Sequence, residues 1–116
     1  MDNCIFCKII KKELPSYKVY EDDKYYAFLD IFPVNIGHVL VVPKAHYKDI
    51  LDTPPEIAEG LMGLIQKIVP AVLLAMKSEG FNIGMNTGTV AGQVVFHTHV
   101  HIMPRFVDDG LNLWGH

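Results

Sequence analysis

Residues His97-Thr98-His99-Val100-His101-Ile102-Met103-Pro104 place an imidazole at every second position. An extended chain turns successive side chains to opposite faces. The pattern therefore predicts a strand over 97–104, with three histidines on one face and Thr98, Val100 and Ile102 packed into a core. A single histidine in a strand is usually an ordinary half-buried polar residue. Three in strict alternation crowd groups with an ordinary pKa of about 6.5 onto one surface, which costs stability on protonation and serves packing poorly. Such a face reads as a site.

The remainder of the 116 residues supplies one domain with one core, half of its residues being hydrophobic. Residues 4–12 read as a short helix with Ile5, Phe6, Ile9 and Ile10 on its apolar side, closed by Pro15. Two strands, 18–21 and 24–30, joined at Asp22-Asp23, form a hairpin with Asp30 at its end. Residues 32–37 form a loop, and the apolar run from His38 to Pro43 is a central strand followed by His46. Thr53 is the expected N-cap of one long helix beginning at Pro54-Pro55-Glu56. From Ile57 to Met76 the pattern is apolar enough to require cover on both faces. Pro70 predicts a kink or break, Gly80 a stop, and residues 81–85 a further strand. Residues 86–93 form a glycine-containing loop able to turn backbone N–H groups toward an anion. The sum is an α+β fold: about five antiparallel strands, one main helix and a short N-terminal helix.

A net charge of −3 and no run of more than two adjacent basic residues argue against a nucleic acid polymer as partner. The longest uninterrupted apolar runs fall short of the roughly 20 residues needed to cross a membrane. The first residues lack the basic then apolar layout of a signal peptide. The expectation is a cytoplasmic protein without membrane attachment, binding any nucleotide in a pocket.

Cys4-Ile5-Phe6-Cys7 admits three readings: a redox pair, two ordinary buried cysteines, or half of a zinc site. The zinc reading is preferred, and it must recruit two further ligands, for which His46 and one histidine of the triplet are candidates.

His97-x-His99-x-His101, followed by two apolar residues and Pro104-Arg105, resembles the signature of the histidine-triad (HIT) superfamily of nucleotide hydrolases and transferases. The likeness extends over nearly the whole chain as one HIT domain, 1–116: Cys4-Ile5-Phe6-Cys7, Ala27-Phe28-Leu29-Asp30-Ile31, Gly37-His38, Val42-Pro43-Lys44-x-His46 and Ala91-Gly92-Gln93. It is most similar to the small bacterial, Hint-like branch. The resemblance implies a homodimer whose sheet continues across the interface, and a substrate carrying a phosphate between a purine nucleoside and a leaving group. It implies His99 as nucleophile, Asp30 on the ribose hydroxyls, and Ile5, Phe6, Ile9, Phe28 and Ile31 around the base. Asn86, Gly92, Gln93 and His101 would contact the phosphate, with His38 in support. It further implies one structural zinc on Cys4, Cys7, His46 and His97, and binding of the metal competes with use of His97 as a general acid.

A neutral imidazole attacking an α-phosphorus would give a nucleotidyl-histidine that water later hydrolyses, replacing one difficult step by two easier ones. One departure bears on the leaving group. Where the family often carries Ser or Thr after Gln93, this chain has Val94, which cannot relay a proton. Amine leaving groups need that proton more than phosphates of low pKa do, so Val94 weakens phosphoramidase activity relative to cleavage of other nucleotide conjugates. Alternatives are a dinucleoside polyphosphate hydrolase and a non-catalytic, zinc-stabilised nucleotide-binding module. A metalloenzyme using all three triplet histidines is limited by strand geometry: at about 3.3 Å per residue, His97 and His101 lie roughly 13 Å apart.

Overall fold

The computed structural model describes residues 3–31, 33 and 35–112. Phe32 and Val34, in the loop expected at 32–37, lie outside the described residues. The elements run α1 (Ile5–Ile10), β1 (Lys18–Glu21), β2 (Tyr25–Leu29), β3 (Val39–Pro43), α2 (Pro55–Met76), β4 (Gly80–Gly84), a 3-10 turn (Thr89–Ala91) and β5 (Val100–Arg105). The five strands form one antiparallel sheet in the order β1-β2-β3-β5-β4.

Period-two alternation on β2 and β3 divides the core. Tyr25, Ala27, Val39 and Val41, with Val100 and Ile102 of β5, face α2, which lays Leu61, Leu64, Ile65, Ile68, Val69 and Val72 on them. Tyr26, Phe28, Leu40 and Val42 face the other way and meet Phe6 and Ile9 of α1. The apolar run of β3 is thus continuous because both faces of the sheet are covered there. Each buried Val, Leu, Ile or Phe among them contributes about 1.5 to 3 kcal/mol.

Several boundaries differ from those expected. α1 covers Ile5–Ile10 rather than 4–12, because Cys4 is its N-cap, with Sγ accepting from the Cys7 N–H at 3.4 Å. Thr53 is not the cap of α2; Pro54 occupies that position, and the Thr53 hydroxyl donates instead to the Asp49 carbonyl at 2.7 Å and pairs with the Thr98 hydroxyl at 2.7 Å. α2 runs through Pro70 without a break. It stops at Lys77, which takes a left-handed conformation (φ 56°), and Ser78 N–H reaches the Leu73 carbonyl, so Gly80 opens β4 instead of ending the helix.

Within the single chain only one face of α2 is covered: its buried residues form one stripe, while Met62 and Leu74 are exposed at 51% and 81%. By length and composition α2, 22 residues long with a mean hydropathy of 1.6 over an 18-residue window, is apolar enough to cross a membrane, which the run-length expectation did not foresee. Its buried stripe is seated on the sheet.

β5 begins at Val100, not at residue 97. His97, Thr98 and His99 approach the sheet without joining its ladder, since the Thr98 N–H donates to Tyr47 carbonyl at 2.8 Å rather than to a strand. The alternation of faces nevertheless persists through them: Thr98 turns to Thr53, and Val100 and Ile102 turn to α2. Gly37, just before β3, has φ 80°, and a β-carbon there would collide with Met76, so this turn requires glycine.

Candidate active site and metal centre

β2, β3 and β5 bring their functional side chains into one row. The backbone N–H of Asp30, at the end of β2, donates to the carbonyl of His38 at 2.9 Å. Its carboxylate lies 3.7 Å from His38 Nδ1. His38 Nε2 and His101 Nδ1 share a hydrogen bond of 2.9 Å. The His101 ring meets the His99 ring at 5.0 Å between centroids. Asp30, His38, His101 and His99 thus form a continuous series.

His99 is 7% exposed, and its Nδ1 is 2.7 Å from the His97 carbonyl. A carbonyl only accepts, so Nδ1 carries the proton and Nε2 of the neutral ring keeps its lone pair. Phe6 stands edge-on to this ring at 5.0 Å. Burial lowers the pKa of His99, opposed by the bond to His97 and the charge of Asp30. Burial also lowers His38, opposed by Asp30, and brings His101 to about 4 with help from His99 and His38. The three imidazoles are therefore neutral near pH 7.

His97 points elsewhere. It is fully buried, its Nε2 donates to the Pro43 carbonyl at 2.8 Å, and its Nδ1 faces Cys4 Sγ at 3.4 Å and Cys7 Sγ at 3.6 Å. Both ring nitrogens are engaged away from the row, so the geometry groups His97 with the cysteines and His46. Cys7 Sγ is 3.3 Å from His46 Nδ1. The four donor atoms of Cys4, Cys7, His46 and His97 lie within 4.8 Å of one another. Tetrahedral zinc, with bonds of about 2.3 Å to sulfur and 2.0 Å to nitrogen, places sulfur and nitrogen about 3.5 Å apart, so this donor set fits the ion. Pro43 fixes the His97 tautomer that offers Nδ1. Asp30, His38 and His101 converge equally closely, but His101 stands with them and His97 does not. The triplet therefore does not act as one ligand set.

Phe6, Ile9 and Phe28 are packed together, with Phe6 and Phe28 edge-to-face at 5.5 Å, whereas Ile5 and Ile31 are 41% and 67% exposed. In the loop before the triad, Gly92 has φ 97° and its carbonyl faces the Asn86 amide at 3.4 Å. Gln93 is buried: its Oε1 accepts from Gly88 N–H at 2.9 Å, and Nε2 donates to the carbonyls of Lys48 and Val95 at 2.9 and 3.1 Å. With both amide hydrogens committed, Gln93 shapes the loop rather than offering a donor outward. Val94 is 86% exposed and belongs to no ladder. Sequence reasoning missed the Pro43 carbonyl, the Lys48 carbonyl and the Thr53–Thr98 pair, none of which has a local sequence signal.

An antiparallel five-stranded sheet with one covering helix, and a row of neutral imidazoles backed by a main-chain carbonyl, defines a histidine-triad domain. The chain belongs to the HIT domain family, whose model matches residues 11–108. A HIT-like protein of Borreliella burgdorferi is 51% identical, the match covering 95% of this chain and 81% of that protein. The adenylylsulfatase HINT3 of Arabidopsis thaliana is 44% identical over 90% of this chain, which spans 53% of that longer protein. Among solved structures, a protein of Streptococcus mutans superposes with a TM-score of 0.93 at 45% identity, covering 97% of this chain and 72% of the other. A zinc-bound histidine triad protein of Mycobacterium smegmatis superposes with a TM-score of 0.91 at 39% identity, covering 99% and 84%.

Proposed function

We propose that the protein is a nucleotide-binding hydrolase or transferase that cleaves nucleoside phosphate conjugates at the α-phosphate through a nucleotidyl intermediate on His99. The observation that carries this reading is the 2.7 Å bond from His99 Nδ1 to the His97 carbonyl, which leaves Nε2 unprotonated and held in one orientation. Nε2 attacks phosphorus, the bond to the leaving group breaks, and water later attacks the same phosphorus and returns His99 to its starting state. The main-chain carbonyl of His97 stabilises the ring as it becomes cationic, without changing its own protonation. Asp30, next to the row and partly exposed, accepts the ribose hydroxyls. Phe6, Ile9 and Phe28, with Ile5 and Ile31 at the rim, hold a purine. His101 and Asn86 face the phosphate.

The preferred leaving group is one of low pKa. Val94 supplies no hydroxyl, and both nitrogens of His97 are engaged elsewhere, so neither residue supplies a proton to an amine. Similarity to an adenylylsulfatase supports this preference. Incubation with adenylyl sulfate and with an adenosine phosphoramidate, each followed by nucleotide chromatography, tests it; faster release of AMP from the sulfate is expected, and nucleotide binding without product from either would defeat the enzymatic reading.

Cys4, Cys7, His46 and His97 would hold one structural zinc, with no coordination position left for substrate. The metal would supply a clamp between α1 and the entry to β5. The second copy of a homodimer would add to the edge strand β4.

A further inference from the structure

We infer that Cys4 and Cys7 are a peroxide-sensitive thiol pair, whose oxidation to a disulfide within the first turn of α1 expels the metal and uncouples that helix from the catalytic histidines. The inference rests on the reading of the four-residue centre as a zinc site.

Three observations carry it. The two sulfurs lie within 4.8 Å of each other. Positions three apart at a helix start have α-carbons roughly 5 Å apart, inside the span that a disulfide bridges. The Cys4 sulfur already folds back over the turn to meet the Cys7 N–H. Access is the third: a cleft of about 420 Å³ lined by Cys4, His46, Ile5, Val94 and Phe96 opens onto the centre, and it is separate from the Asp30–His38–His101 row. Cys4 is only partly buried, whereas Cys7 lies beneath it. A partly accessible sulfur next to a buried resolving sulfur suits oxidation to a disulfide.

The Cys4 thiolate attacks one oxygen of hydrogen peroxide, the O–O bond breaks, and Cys4 becomes a sulfenic acid while the departing hydroxide is protonated to water. The Cys7 sulfur then attacks the Cys4 sulfur, the S–O bond breaks, and a second water leaves. Two thiolates, one peroxide and two protons become one disulfide and two waters. The sulfurs lose two electrons and the peroxide gains them. His46 and His97 alone cannot retain a tetrahedral zinc, so the ion departs. α1 would then lose the metal link to the entry of β5, leaving its apolar contacts to keep Phe6 edge-on to His97 at 5.9 Å and His99 at 5.0 Å.

The test uses the full chain purified with zinc and titrated with hydrogen peroxide, with a Cys4→Ser variant as control. Alkylation and peptide mapping count free thiols, and a chromophoric chelator reports released zinc. The expected result is loss of both thiols in step with release of one zinc per disulfide, a lower melting temperature, and reversal by a dithiol reductant with added zinc; Cys4→Ser forms no intrachain disulfide. Retention of zinc and both thiols under excess peroxide, or accumulation of sulfinic acid on Cys4 without a disulfide, overturns the inference and leaves the zinc site standing. A starting protein that contains no zinc overturns the metal reading and the expulsion step with it.

Discussion

Nδ1 of His99 donates to the carbonyl of His97 at 2.7 Å, so one histidine of the triad sets the tautomer of the next through its backbone while its own ring serves a different site. The two residues occupy alternate positions, yet the proposed function assigns one to the reaction and the other to the metal centre. This division governs what substitutions should do.

Replacing His99 by Ala should reduce turnover by roughly 10³-fold or more while leaving nucleotide affinity within a few fold, since the ring acts in bond formation. Acid quenching of the wild type should give a species heavier by one nucleoside monophosphate, with the label on His99. Label on another residue would move the nucleophile.

Asp30→Ala should weaken nucleotides by about 1.5 to 3 kcal/mol, the range for hydrogen bonds to a charged acceptor, and barely change binding of inorganic phosphate. Calorimetric titration with both ligands separates loss of a ribose contact from a fold defect, which would affect them equally.

A Cys4→Ser, Cys7→Ser double variant should lose its zinc and melt at a lower temperature, with any loss of activity following from disorder of α1. Elemental analysis of chelator-free preparations checks occupancy. Full occupancy in the double variant would place the metal elsewhere.

Stability should fall as the pH drops from about 6.5 toward 4. His101 has its folded pKa at about 4, lowered chiefly by burial and also by His99 and His38. Between these values the unfolded chain takes up a proton that the folded protein refuses, so the penalty is absent above pH 6.5 and complete below pH 4. Its size is roughly 1 to 3 kcal/mol. Melting curves at pH 7 and pH 5 should show a smaller difference for His101→Asn than for the wild type.

Gly60 lies inside α2, where Ala is ordinarily better by about 1 kcal/mol. Here a β-carbon would run into the Tyr25 hydroxyl, which donates to the Ile57 carbonyl at 2.9 Å. Gly60→Ala should therefore destabilise the protein by about 1 to 3 kcal/mol. Chemical denaturation measures the sign.

Periodicity made much of this protein legible without coordinates. The alternation of Tyr25 to Phe28 and the unbroken run from Val39 to Val42 specify strands because side-chain direction along a strand is a local property of the backbone. The same local rule separates Thr98, Val100 and Ile102 from the three histidines. Helix ends were less legible: Thr53 has the chemistry of a cap, but its hydroxyl is drawn to Thr98, 45 residues away. The division of the triad was beyond reach of any local rule. Whether His97 serves catalysis or a metal depends on Pro43 and Cys4 arriving beside its two nitrogens, and Gln93 loses its outward donors only because Lys48 and Val95 present carbonyls to it. The chain alone determines which residue types lie on each face; buried polar groups take whichever partners folding brings within about 3 Å, and those partners are decided by the tertiary structure.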